Sequence, residues 1–254
     1  MSAPRILLAI PHPDDEVVGS AIALRRARAE GCEVFGLYLT TGVPAEAALW
    51  PWQRSRYAAL VARRRAEALA AAAALGLEPV AFAARPSRRL KDDLGEAFAE
   101  LDAAVTRLMP DELWVSAWEG GHQDHDAANF LASRFARRVR LREFAEYNYA
   151  QGAVRVQRFP QSDGSETVLR LTAEEAAFKR RLLAIYRSER ANLAFVRTQI
   201  ESSRPLPLHD YGAPPHRGTL FRERFHWVPF RHPRIDFEPS AATRAAIAAF
   251  LARN

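Results

Sequence analysis

Ile6-Leu7-Leu8-Ala9-Ile10, an unbroken apolar run, leads directly into Pro11-His12-Pro13-Asp14-Asp15-Glu16. An apolar stretch of that length stopped by proline predicts a strand over residues 5–10. Apolar at every position, it reads as a strand buried on both faces, the kind found in parallel sheets sandwiched between helices. The imidazole and three carboxylates that follow are poor material for a core, because an ionised carboxylate is costly to bury unless it is paired or bound to a metal. At the carboxyl end of a parallel strand the same cluster faces the crevice where open α/β sheets bind their ligands. His12 and Asp15 are placed to share one cation there, which leaves Asp14 for proton transfer.

The strand–helix alternation continues outward from that point. A helix over 17–30 ends at Gly31, and Glu33 to Leu39 reads as a second strand running into the loop Thr40-Thr41-Gly42. A long Ala/Arg-rich helix over 54–75 stops at Gly76. A short strand over 79–83, a helix over 92–108 and a strand over 112–118 follow, then a helix over 125–138 and a fifth strand over 144–149. This order predicts an α/β fold with a mainly parallel sheet and right-handed crossovers. After residue 150 the pattern changes. Residues 154–159 and 167–171 suggest a hairpin across Ser162-Asp163-Gly164-Ser165. Thr172 and Glu175 form a capping box that opens a helix to about residue 187. Residues 202–235 read as irregular, and Ser240 as the cap of a last helix over 241–252. The expectation is a single domain over 1–254, with a core over 1–150 and a C-terminal hairpin/helix cap over 151–254 that covers the substrate pocket.

Composition narrows the function classes. With 48% hydrophobic and 26% charged residues, the chain has ordinary globular proportions. No apolar run approaches the roughly 20 residues that cross a bilayer, and the short N-terminal apolar run lacks the form of a secretory signal. A single cysteine, Cys32, excludes an intramolecular disulfide framework and a thiolate zinc site. Cytoplasmic residence is the expectation. The net charge of +6 comes almost wholly from arginine spread along helical patterns, without a nucleic-acid-binding motif, so no nucleic-acid partner is expected.

A second polar cluster, Glu119-Gly120-Gly121-His122-Gln123-Asp124-His125-Asp126, follows the fourth predicted strand. A parallel sheet brings both clusters to one rim although more than a hundred residues separate them. A catalytic zinc takes three ligands from His, Asp or Glu and keeps one open position. His12, Asp15 and His125 supply that set, with metal-activated water as the nucleophile. Asp14 is the candidate base and His122 the candidate donor to a developing oxyanion or leaving group, with Asp124 orienting His122. Ferrous iron suits the same donors.

At these two motifs the chain resembles the PIG-L/LmbE-like zinc de-N-acetylases, whose hallmarks are Ala/Pro-His-Pro-Asp-Asp-Glu and a later His-Pro-Asp-His. Here Gln123 stands in place of the usual proline. Arg64-x-x-Glu67, Leu75-Gly76, Lys179 with Tyr186 and Ser188, and Glu223-x-Phe225 resemble further family positions, with Glu189 where glutamine is usual. The resemblance implies a Rossmann-like three-layer fold, one divalent metal, usually zinc, and removal of an N-acetyl group from a glucosamine-containing conjugate. It also implies the same roles for His12, Asp15, His125, Asp14 and His122. Some members carry a tyrosine two residues before the first histidine of the second motif. That position is Gly120 here, which leaves Tyr147 and Tyr149 as candidates by nearness in sequence.

Trp50, Trp52 and Trp118 are candidate sugar-stacking side chains. Arg64 is a candidate contact for an anionic part of the amino-sugar conjugate. The four remaining histidines, His209, His216, His226 and His232, read as structural or exposed. Two other functions compete: an amidase using the same site on a larger amide, and a non-catalytic Rossmann-like nucleotide-binding module. The second is disfavoured because no Gly-x-Gly-x-x-Gly loop follows the first strand and its helix mouth is acidic. A homo-oligomer is compatible with the sequence.

Overall fold

In the computed structural model, which describes residues 3–253, the opening apolar run is β1 (Arg5–Ile10), at the middle of a seven-stranded sheet. β1 pairs in parallel with β2 (Glu33–Tyr38) on one side and with β4 (Glu112–Ser116) on the other. β3 (Glu78–Phe82) extends the sheet beyond β2, and β5 (Arg140–Phe144) beyond β4, both in parallel. Alternate side chains of a strand point to opposite faces. Ile6, Leu8 and Ile10 accordingly enter one helical layer, and Leu7 and Ala9 enter the other. A strand covered on both sides has no position where a polar residue reaches water, which is why β1 is apolar throughout.

The first face is covered by α1 (Asp15–Ala29), α3 (Tyr57–Leu75) and α6 (Ala173–Ile185), and the second by α4 (Leu94–Leu108), α5 (Gln123–Ser133) and α7 (Ser240–Leu251). A single turn, α2 (Pro51–Arg54), precedes α3. In the order β3-β2-β1-β4-β5 the direction of sheet growth reverses between β1 and β4. The connections leaving these two strands pass to opposite faces and open a crevice at their carboxyl ends.

Three expectations are corrected. The fifth strand is β5, four residues earlier than 144–149. Its sequence Arg140-Leu141-Arg142-Glu143 disguises it, because Glu143 is fully buried but paired with Arg204 at 2.8 Å. The helix expected over 125–138 occupies 123–133. The hairpin between 154–159 and 167–171 does not form. Instead β6 (Tyr147–Asn148) pairs with β7 (Arg155–Val156), and β8 (Thr167–Arg170) pairs antiparallel with β9 (Ile200–Pro205). β9 in turn pairs antiparallel with β5, so residues from the region read as irregular complete the sheet. The capping box at α6 forms as read, whereas α7 starts at Ser240 itself, with Pro239 in the cap position. Among the described residues no helix is long and apolar enough to cross a membrane.

Candidate active site

The two motifs meet at the crevice. His12 lies two residues beyond β1, Asp15 opens α1, and His125 sits in the first turn of α5. His12 Nδ1 is 3.2 Å from His125 Nε2 and 3.2 Å from Asp15 Oδ2, and His125 Nε2 is 3.3 Å from Asp15 Oδ1. Three electron-pair donors therefore converge on one point. The 3.2 Å between the two nitrogens matches the edge of a tetrahedral site with metal–nitrogen bonds of about 2.0–2.1 Å, which is about 3.3 Å, and Asp15 turns a different oxygen toward each nitrogen. All three side chains are buried, and among the described residues no arginine or lysine pairs with the triangle. Two imidazole nitrogens and a carboxylate are donors suited to zinc or ferrous iron, so the residues present fit a divalent cation.

The other nitrogens of the two imidazoles are treated differently. His12 Nε2 lies 2.9 Å from Asp124 Oδ2. Asp124 also accepts the backbone N–H groups of Arg88 and Leu90. Burial would raise the pKa of Asp124, but the hydrogen bond from His12 and the charge of nearby groups hold it well below the usual range. It is thus an acceptor, and the proton lies on His12 Nε2. This corrects the expected role of Asp124: it orients His12, and its carboxylate lies 3.7 Å from His122 Nδ1. His122 Nδ1 instead accepts the backbone N–H of Asp124 at 3.1 Å. That bond leaves the His122 proton on Nε2. Burial, reinforced by the neighbouring His12, pushes the His122 pKa well down and keeps the ring neutral.

In the metal-free protein, burial opposes charging His12, but Asp15 and Asp124 outweigh it and raise its pKa to about 10. Asp15 is opposed by burial in the same way, yet His125 and His12 hold its carboxyl well below the ordinary value. Asp14 behaves oppositely. Burial raises its pKa well above the ordinary value, Arg64 opposes the rise and Asp15 adds to it. Its backbone is strained as well, with φ 121° in a region that side-chain-bearing residues rarely adopt. The Asp14 carbonyl accepts the N–H groups of Val17 and Val18 at the start of α1, which anchors the turn.

Arg64 reaches this turn from α3. Its guanidinium lies 3.4 Å from the Asp14 carboxylate, bonds the Pro13 carbonyl and lies 3.6 Å from Glu189. With 3% of its surface exposed, it positions Asp14 and is not free for a substrate anion as expected. Trp118 is likewise corrected: it is buried in the core, edge-on to Tyr211, so its ring offers no face to a sugar. Trp50 and Trp52 are stacked with centroids 5.2 Å apart, and Trp50 meets His232 edge-on. Trp52 is 68% exposed. The loop holding His232 is tied to the site because Arg88 donates to the carbonyls of Pro233 and Ile235. Tyr147 packs its ring against His125, with centroids 5.6 Å apart, and against Phe221.

Sequence reading missed Arg88 and Glu146, and it gave Glu119 no role. Arg88 follows no recognisable motif. Glu119 accepts the N–H groups of Glu146 and Tyr147 and the Asn148 amide, and burial raises its pKa to about 8. Glu146 was hidden by the misplaced fifth strand. With β5 ending at Phe144, it falls two residues past a strand end, as His12 does past β1.

Fold and site together define a three-layer α/β protein with a His₂–carboxylate donor set at its topological switch point. A sequence profile of the PIG-L family, described as GlcNAc-PI de-N-acetylase, matches residues 7–136, just over half of the chain. The chain belongs to the PIG-L family. No curated protein matches it. Among solved structures it is similar to a triple mutant of a deacetylase of the teicoplanin biosynthetic pathway. That match has a TM-score of 0.63 and 21% identity, over 79% of this chain and 97% of that one. N,N'-diacetylchitobiose deacetylase from Pyrococcus horikoshii matches with a TM-score of 0.54 and 19% identity, over 84% of this chain and 85% of that one. A 4-carboxy-2-hydroxymuconate hydratase from Pseudomonas putida also shares the fold, with a TM-score of 0.50 and 17% identity, over 82% of this chain and 98% of that one. The fold alone therefore does not name the reaction, and function has to be argued from the site.

Proposed function

We propose that this protein is a metal-dependent N-deacetylase that releases acetate from an N-acetylated amino-sugar conjugate. The observation that carries the reading is the convergence of His12 Nδ1, His125 Nε2 and the Asp15 carboxylate, with the nitrogens 3.2 Å apart and 3.2 and 3.3 Å from Asp15 Oδ2 and Oδ1 respectively. Membership of a family described as a GlcNAc-PI de-N-acetylase supports the amino-sugar amide as substrate. A divalent cation held by His12, Asp15 and His125 would supply Lewis acidity and make water a competent nucleophile near neutral pH.

The remaining steps belong to the chain. Asp14, beside Asp15 and held by Arg64, takes a proton from the attacking water at its carboxylate. Its raised pKa suits it to hold that proton and pass it to the departing amine nitrogen. His122, neutral and with its proton on Nε2, donates to the oxyanion that forms at the acetyl carbonyl. Asp124 keeps His12 in the tautomer whose Nδ1 is free. The Trp50–Trp52 pair at the rim gives a stacking surface for the sugar ring or its aglycone.

The test combines elemental analysis of the purified protein with detection of free amine from a panel of N-acetylated amino-sugar conjugates, with and without chelator. The expected result is one divalent metal per chain and amine release that chelator abolishes and metal restores. Amine release that survives complete metal removal would overturn the proposal.

A further inference from the structure

Glu146 is fully buried directly behind His125, and nothing in the reaction as described uses it. Both of its carboxylate oxygens, the Ser116 hydroxyl beside them and His125 Nδ1 lack a close hydrogen-bond partner among the described residues. Oε1 and Nδ1 face each other across 3.6 Å. Two unpaired polar groups facing one another in a dry interior are costly, and such groups in a native structure call for an explanation. The neighbouring carboxylate shows what a purely structural glutamate looks like here: Glu119 accepts bonds at 2.8, 2.9 and 3.1 Å. Those bonds include the backbone N–H of Glu146, so Glu119 fixes the segment that presents the Glu146 side chain to His125.

His12 supplies the pattern to compare. Its outer nitrogen is closed by Asp124 at 2.9 Å while its inner nitrogen points into the donor triangle. His125 has the same inner nitrogen and the same carboxylate behind it, but the outer contact is open. An imidazole that gives one nitrogen to a cation carries its proton on the other, and a carboxylate behind it fixes the ring and raises its basicity.

We propose that Glu146 is the positioning residue for His125, its carboxylate accepting the Nδ1–H when Nε2 is given to the cation. This rests on the metal centre proposed above and assigns that centre a second carboxylate–histidine pair, built from a different part of the chain.

The experiment compares metal-free wild-type protein with Glu146→Gln and Glu119→Gln. Zinc affinity is measured by competition with a chromophoric chelator, the cobalt-substituted proteins are examined by absorption spectroscopy, and thermal unfolding is followed without metal. For Glu146→Gln the expected result is zinc binding weaker by about 10- to 100-fold and a changed cobalt spectrum. Its metal-free melting temperature should equal or exceed that of wild type, because an unpaired buried carboxylate is gone. Glu119→Gln should instead bind zinc within about twofold of wild type with an unchanged cobalt spectrum, because the amide oxygen still accepts the N–H groups of Glu146 and Tyr147 and keeps the segment in place. If Glu146→Gln binds zinc as tightly as wild type with an unchanged cobalt spectrum, the role of Glu146 is wrong although the metal centre stands. Comparable loss of affinity in both variants would mean general damage to the fold and would equally overturn the role. If wild-type protein takes up no zinc, the metal centre and the role of Glu146 fall together.

Discussion

Two groups of buried polar side chains surround α1, and they differ in where their donors and acceptors are directed. Behind the helix, Lys179 Nζ reaches the Val18 carbonyl at 2.8 Å and Glu201 at 2.7 Å. Glu201 accepts the N–H groups of Ile22 and Ala23. Gln157 also bonds the Val18 carbonyl, the Tyr186 hydroxyl bonds Glu16, and Glu67 takes both the N–H and the hydroxyl of Ser188. Several of these residues are the family-like positions noted in the sequence, and in the fold they bolt α6 and the segment after it onto α1 and α3. In front of the helix, His12, Asp15, His125 and Glu146 are equally buried, but their lone pairs converge on one another or stand unpaired. Burial alone does not separate scaffold from chemistry in this protein. The convergence of lone pairs on one point does.

The sharpest way to break that contrast is to remove one member of the front group. His125→Ala should lose stoichiometric metal and fall to background amine release, measured by elemental analysis and a fluorescent amine assay. Asp14→Asn should keep its metal and still lose about 10²- to 10⁴-fold in kcat, the usual worth of a positioned base. Equal metal loss in both variants would contradict the division between ligand and base.

The rear group should answer in stability instead. Lys179→Met leaves the Glu201 carboxylate buried without its cation, at a cost of about 3–5 kcal/mol. For a chain of this size that corresponds to a fall of roughly 10 °C in melting temperature. The zinc stoichiometry and kcat of the folded protein should stay close to wild type. A variant that melts normally but turns over slowly would place Lys179 in the wrong group.

Arg64 stands between the two groups, and a smaller effect is expected there. The charge of Arg64 favours the ionised form of Asp14, against the burial that raises its pKa. Activity requires ionised Asp14, so the rate rises with pH through that pKa. Arg64→Met should therefore move the acid limb of the pH–kcat/KM profile to higher pH. A shift to lower pH would rule out this pairing. The smallest effect is expected at the rim: Trp52→Ala should raise KM by roughly 2- to 10-fold with kcat unchanged, the scale of one aromatic contact.

Sequence patterning carried the fold as far as β4 because each strand there is apolar and each helix ends at glycine or just before proline. It failed at β5, where buried Glu143 is tolerated only through Arg204, His209 and Asn129, partners that are distant in sequence. It failed again at β8 and β9, which are short and depend on pairing across the sheet rather than on local turn chemistry. The donor triangle was legible because its residues lie in two compact polar motifs, each between a strand and the helix that follows it. The partner of Asp124 was misassigned because a sequence spacing of two suggested His122, whereas the fold turns the Asp124 carboxylate toward His12, 112 residues away.

That separation also bears on how the protein matures. His12 and Asp15 supply only two of the three donors, and the third arrives after β2, β3 and β4 have been made and β4 has docked beside β1. A nascent chain therefore has no complete site to offer a passing cation. For the metal centre proposed above, capture is then a late event that would report that β1 and β4 have paired correctly.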